Sequence, residues 1–186
     1  MQEKENVLRI LEETSKAIKG ENPSVIKELS NQTINTASMT QDPDNILVAV
    51  IVYSISKILE RTNYRELPGW EKFYGVMISS LEKSIQDIRK NDEKKFRKDF
   101  EEIRNALDKL SGKLKFYIQD VFRRASINKA SRIYEHGISM ETTANLLGVT
   151  MFELADYAGE TGIPDVRGAQ TMDVKSRIKI AEDMFK

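Results

Sequence analysis

Side chains that could carry out catalysis are scarce in this chain of 186 residues, which holds one histidine and no cysteine. Without cysteine there is no thiolate nucleophile, no disulfide and no zinc or iron–sulfur site bound through sulfur. The sequence also lacks the common nucleotide-binding, metalloprotease and hydrolase motifs. Neighbouring acids such as Glu12 and Glu13 diverge by about 100° on a helix, so they form no dyad. We therefore predict no enzymatic activity, no cofactor and no metal site, and expect a protein that works by binding.

Basic residues are concentrated in one stretch of the chain. From Lys109 to Arg132 there are seven basic residues against one acid, Asp120, although the whole chain is neutral, with 29 basic and 29 acidic residues. Aromatic residues are interleaved with these cations, a pattern typical of surfaces that bind nucleic acid or an acidic partner. The alternative is a solvated helix face whose aliphatic stems pack on neighbours. The candidate nucleic-acid contacts are Lys113, Lys115, Arg123, Arg124, Lys129 and Arg132.

The spacing of small and apolar residues after His136 predicts a helix-turn-helix. That motif needs a small residue in its first helix, a glycine at the turn four positions later, and an apolar anchor six positions further on. These positions are filled by Ala144, Gly148 and Leu154. Ser139 and Thr150 are the predicted N-caps of the two helices, and Glu153 completes a capping box with Thr150. An ordinary helical hairpin is the alternative interpretation.

Several runs in this region extend the pattern: ASRIYEHGIS at 130–139, Ala144 with LLGVT at 146–150, MFEL at 151–154, and the closing Gly162-Ile163-Pro164. With these runs, residues 128–164 resemble a prokaryotic family of small antitoxin-like helix-turn-helix proteins. Related modules occur in transcriptional regulators and in toxin–antitoxin partners. The resemblance implies a regulatory or partner-binding module, and it implies nothing about residues 1–125.

The charge of the same region argues against contact with DNA. No lysine or arginine lies between Ser139 and Gly162, where four acids give a formal charge of −4. Affinity for DNA comes mostly from lysine and arginine on phosphates, and recognition helices present basic or amide side chains to the bases. The second helix is better suited to a protein partner, with candidate contacts at Thr150, Met151, Phe152 and Asp156.

Two functions therefore remain open from the sequence. The first is a DNA-associated or antitoxin-like regulator, in which the basic stretch contacts phosphates. The second is an adapter whose acidic helix-turn-helix docks a protein partner without nucleic acid. The family resemblance favours the first function, and the absence of basic residues between Ser139 and Gly162 favours the second.

The rest of the chain predicts an all-α fold, since glycine and proline are few and apolar residues recur every three or four positions. We expect a bundle of five or six helices over residues 1–126. A helix-turn-helix module with a final amphipathic helix at 173–185 should follow over 127–186. Asn22-Pro23 and Asp42-Pro43 are predicted helix starts. The second helix is expected to weaken in the polar stretch at 31–41, and the apolar helix at 45–61 should be buried.

The N-terminus is charged, and the most apolar run, Ile46 to Tyr53, has eight residues. A membrane span needs about 20 apolar residues, and a signal peptide needs an apolar core that this N-terminus lacks. We therefore expect a cytoplasmic protein without a membrane partner. The apolar helix could also support a homodimer, or the bundle could hold an apolar ligand between its helices.

Overall fold

The computed structural model describes residues 1–147 and 149–160, and within these ranges the chain forms eight α-helices, one 3₁₀ helix and no strand. The all-α fold is therefore confirmed. The predicted helix at 173–185, Gly148 and the closing residues 162–164 lie outside the described residues. The helices are α1 (Lys4–Lys19), α2 (Pro23–Thr40), α3 (Pro43–Leu59), the 3₁₀ helix (Thr62–Glu66), α4 (Trp70–Arg89), α5 (Glu93–Asp108), α6 (Gly112–Glu135), α7 (Met140–Leu147) and α8 (Met151–Glu160).

Side-chain caps start α2 and α3 at the predicted positions. The Oδ1 atom of Asn22 accepts a hydrogen bond from the backbone N–H of Val25 at 3.3 Å, and Asp42 accepts from the N–H of Asp44 at 2.8 Å. A proline follows each cap, where its missing N–H costs nothing because the first helical N–H groups have no helical partner.

The second helix does not weaken in its polar half, and this expectation was wrong. α2 continues to Thr40. Its hydroxyl side chains bond back to carbonyls one turn earlier: Thr33 to Leu29 at 3.0 Å and Ser38 to Ile34 at 2.8 Å. These bonds satisfy the hydroxyls within the helix, so they do not compete with it. Ile34 and Ala37 are buried in the same stretch and anchor it by packing.

The main core lies between α1, α3, α4, α5 and α6, with Ile26 and Leu29 contributed by the first half of α2. α1 packs on α2 and α4, α4 pairs with α5, and α3 lies against α2 and α6. α3 is buried on most of its surface, as its apolar sequence predicts. None of the helices in the described part of the chain combines the length and apolarity needed to cross a bilayer.

A smaller second core joins the C-terminal helices to the bundle. Ile133 at the end of α6 packs with apolar residues of α2 and α3, and Ile138 and Leu147 cover this cluster. α6 itself runs unbroken from Gly112 to Glu135, and its second half contributes to the second core. The domain boundary predicted after residue 126 lies within α6.

Candidate functional site

Side-chain caps start α7 and α8 where the sequence predicted them. Ser139 Oγ accepts the backbone N–H of Thr142 at 3.1 Å. At α8 the N–H of Glu153 donates to Thr150 Oγ1 at 3.1 Å, and the N–H of Thr150 donates to Glu153 Oε2 at 3.0 Å. This is a complete capping box, and it fixes the first turn of α8.

α7 and α8 pack through the positions that the helix-turn-helix pattern requires to be small or apolar. Ala144 and Leu154 are buried, and the N–H of Val149 donates to the Ala144 carbonyl at 3.1 Å as the chain leaves α7. α8 lies against both α6 and α7. Gly148, the third position of the pattern, lies outside the described residues.

Polar contacts tie α8 to α6. The Nε and Nη2 atoms of Arg123 both donate to Glu153 Oε1, at 2.9 and 2.6 Å. Asn128 Nδ2 donates to the hydroxyl of Tyr157 at 2.9 Å. The backbone N–H of Thr150 and then the guanidinium of Arg123 lower the pKa of Glu153 to about 2. Glu153 is therefore ionised at neutral pH, where it both caps α8 and holds it on α6.

These contacts place basic and acidic residues on one cleft of about 480 Å³, enclosed by α3, α6 and α8. Cations line it from α6 and from the end of α3, and acids line it from α6 and α8. They include Lys57, Arg61, Arg124, Asp120 and Asp156. The basic stretch and the acidic helix are thus neighbours that compensate each other's charge.

Most of the predicted nucleic-acid contacts are engaged within the protein. Four of the six donate to a neighbouring acceptor: Arg123 to Glu153, Arg124 to Asp120, Arg132 to Glu135, and Lys115 to the carbonyl of Asp108. Lys113 is exposed and has no ion-pair partner in the part of the chain that the structure describes. The basic stretch therefore presents less unpaired charge than its composition suggests.

Lys129, the sixth predicted contact, is fully buried. Its Nζ donates to Asn31 Oδ1 at 3.1 Å and lies 4.3 Å from the centre of the Tyr53 ring, a cation–π geometry. Burial lowers the pKa of Lys129 to about 7, and Arg132 adds to the effect. In this structure Lys129 offers no surface to a phosphate. Its place follows from spacing, because it lies four residues after Ala125 on the buried face of α6.

The predicted partner contacts are all exposed, although Asp156 also lines the cleft against α6. Phe152 is 83% exposed and Met151 50%, although both are large apolar residues, and Thr150 and Asp156 are also exposed. Leu154 faces the opposite side of α8 and is buried. α8 thus presents an apolar tip with an acid one turn later, on a helix whose first turn is fixed.

Sequence reasoning missed one pair of carboxylates, Asp87 of α4 and Asp99 of α5. Asp99 is 6% exposed and its Oδ2 atom has no hydrogen-bond partner among the described residues. Burial, and then the neighbouring Asp87, raises the pKa of Asp99 to about 6. The residues are twelve apart on different helices, so only the alignment of α4 with α5 brings them together.

Within the described residues, no group of three or more histidine and acidic side chains is placed to hold a metal ion. Compared with known proteins, the chain matches no family model, no curated protein and no solved structure. The resemblance to antitoxin-like proteins therefore stays a prediction.

Proposed function

We propose that this protein is a non-enzymatic regulatory protein that binds another protein through α8, with the α7–α8 pair acting as a helix-turn-helix module. The exposure of Phe152 carries the proposal. An aromatic side chain that is 83% exposed at the start of a fixed helix is a surface feature typical of interface anchors. Phe152 adjoins Met151, whose flexible side chain adapts to irregular partner surfaces.

The exposed residues of α8 also indicate what kind of surface a partner would need. Asp156 lies one turn after Phe152, and the exposed positions between them include Ala155, which lets a partner approach closely. The fitting surface is an apolar pocket for the aromatic ring with a lysine or arginine on its rim. As a reader of DNA the face is poorly equipped, since it carries neither a cation nor an amide side chain.

Nucleic-acid binding by a DNA-associated regulator is the second candidate, and one observation favours it. Lys113 and Phe116 are exposed on the first half of α6, and Phe116 is 68% exposed. A cation beside an exposed aromatic ring is a combination used to hold phosphates and stack bases. Under this candidate Arg123 and Arg124 would exchange their internal acids for phosphates.

The double variant Met151→Ala/Phe152→Ala tests the first candidate. We expect it to lose a protein captured by the wild type from lysate of the source cell, while its helical circular dichroism stays unchanged. Met39→Ala is the matched control, because Met39 is 87% exposed but lies on α2. Capture of the same proteins by wild type and double variant would contradict docking through α8.

Binding to random-sequence duplex DNA and to RNA, at low and physiological salt, separates the two candidates. If the protein binds only a protein partner, we expect no binding to DNA or RNA whose affinity falls steeply with salt concentration. If such binding appears and Arg123→Ala/Arg124→Ala weakens it uniformly while lowering its salt dependence, the second candidate replaces the first. Arg89→Ala is the control, because Arg89 is exposed and pairs with Glu12 of α1, outside the basic stretch.

A further inference from the structure

A second candidate binding surface of the bundle is a groove, unlike the exposed face of α8. An apolar groove of about 580 Å³ lies between α3, α5 and α6. Its floor includes Val50, Phe100 and Ile103, all buried. At one end Arg97 of α5 donates from Nε and Nη2 to the two oxygens of Asp44 at 2.8 Å each, which fixes α5 to the start of α3.

One wall of the groove is a regular ridge of α5. It consists of residues spaced three and four apart, Arg97, Glu101, Arg104 and Leu107, which rise above the buried Phe100 of the floor. Ten residues of helix span about 15 Å, so the ridge is nearly three turns long. Leu47 of α3 and Phe122 of α6 are half-buried and line the other sides. Ridges of this spacing pack against the side chains of another helix.

The rim of the groove carries charges that are not used inside the protein. Glu101 and Arg104 are exposed, lie three residues apart on α5, and have no ion-pair partner among the described residues. The other charged pair of the rim, Asp44 and Arg97, is engaged internally. The groove therefore offers one unpaired acid and one unpaired base beside an apolar floor.

We propose that this groove binds an amphipathic helix of a partner protein. The helix would place apolar residues at i, i+3 or i+4, and i+7 on the floor, a base against Glu101 and an acid against Arg104. A compact ligand that carries a single charge would be attracted by one of these two side chains and repelled by the other. The surface is separate from the exposed face of α8, so the inference goes beyond the proposed function.

Two synthetic helical peptides of identical composition test the inference by fluorescence anisotropy with the full chain. Both carry leucines at i, i+4, i+7 and i+11, flanked by a lysine and a glutamate three residues apart, and they differ only in the order of those two charges. We expect one order to bind at least about fivefold more tightly than the other. The double variant Glu101→Arg/Arg104→Glu should reverse this preference.

The controls locate the binding. Lys90→Glu changes an exposed charge at the end of α4, outside the groove, and should leave both affinities unchanged, as should Phe152→Ala. Failure of both peptides to bind, or equal binding that the charge reversal does not alter, would overturn the inference. Loss of binding in Phe152→Ala would also overturn it, because the peptides would then lie on α8, and the proposed function would stand.

Discussion

Lys129 combines complete burial with a side chain that is normally charged. Moving an ammonium group out of water is costly, and the Tyr53 ring and the Asn31 amide offset only part of that cost. The protein responds by favouring the neutral amine, so the pKa falls to about 7 from its usual 10.5. The unfolded chain therefore binds more protons than the folded one between these two values.

This difference predicts that stability rises with pH between about 7 and 10.5, because the slope follows the excess of protons on the unfolded chain. Lys129→Met should remove that rise and should make the protein more stable at pH 7 by about 1–3 kcal/mol. Urea denaturation at pH 7 and pH 9.5 measures both effects. Lys113→Met is the control at an exposed site, and an undiminished pH slope in Lys129→Met would contradict the prediction.

Asp99 changes the stability with pH in the opposite direction to Lys129. Its pKa is raised to about 6 from 3.8, so the folded protein binds more protons and loses stability as pH rises from about 4 to 6. Asp99→Asn should be more stable than wild type by about 1–2 kcal/mol at pH 7.5. The gain should shrink towards pH 4, where the carboxyl group is protonated in wild type.

Chemical denaturation at the two pH values checks the effect of Asp99→Asn, with the exposed Asp108→Asn as control. An equal gain at both pH values would show that packing, and not ionisation, is responsible.

At the scale of the element, α8 is a short helix that needs external support. It has ten residues, fewer than the 12–15 at which even favourable isolated helices become marginal. Its order depends on the capping box, on burial of Leu154 and on the bond from Arg123 to Glu153. The position of the proposed interface residue Phe152 depends on the same contacts.

Removing the cap should loosen α8 alone. Thr150→Ala deletes the hydroxyl that accepts the Glu153 N–H and should destabilise the helix by about 1 kcal/mol, whereas Thr150→Ser should retain most of the stability. Hydrogen exchange followed by mass spectrometry should show faster exchange over residues 151–160 in the alanine variant. Unchanged exchange there would mean that packing alone maintains α8.

Local signals predicted the helices well, and long-range contacts account for what was missed. Asn22, Asp42 and Thr150 bond to groups within a few residues, so their caps could be predicted from the sequence. Arg123 and Glu153 are thirty residues apart, and no local rule pairs them. The burial of Lys129 could be predicted only in part, because its spacing from Ala125 predicts burial while its charge suggests exposure.

At the scale of the whole molecule, α6 belongs to two cores. Its first half packs in the main core through Leu114 and Ile118, and its end contributes Ile133 to the second core with α2, α3 and α7. A substitution that destabilises the second core should therefore also destabilise the main core, because the continuous helix α6 joins the two.

Ile133→Ala should lower the free energy of unfolding by about 2–5 kcal/mol, since it deletes a fully buried side chain. Because α2 and α3 share its core, we expect one cooperative transition at lower denaturant concentration. Ile138→Ala, a half-buried change beside the same core, is the milder control. A separate early transition confined to the C-terminal helices would show that the second core is independent.

The continuity of α6 also determines where a protease can cleave the chain. A protease needs an extended segment of several residues, and around residue 126 it meets hydrogen-bonded helix in which Ala125, Ile127 and Ala130 are buried. A fragment ending there would lose the last nine of the 24 residues of α6, and the apolar surfaces of α2 and α3 around Ile34 and Ala49 would be open to water. Such a fragment should be prone to aggregation, so a stable fragment of the bundle has to retain the whole of α6.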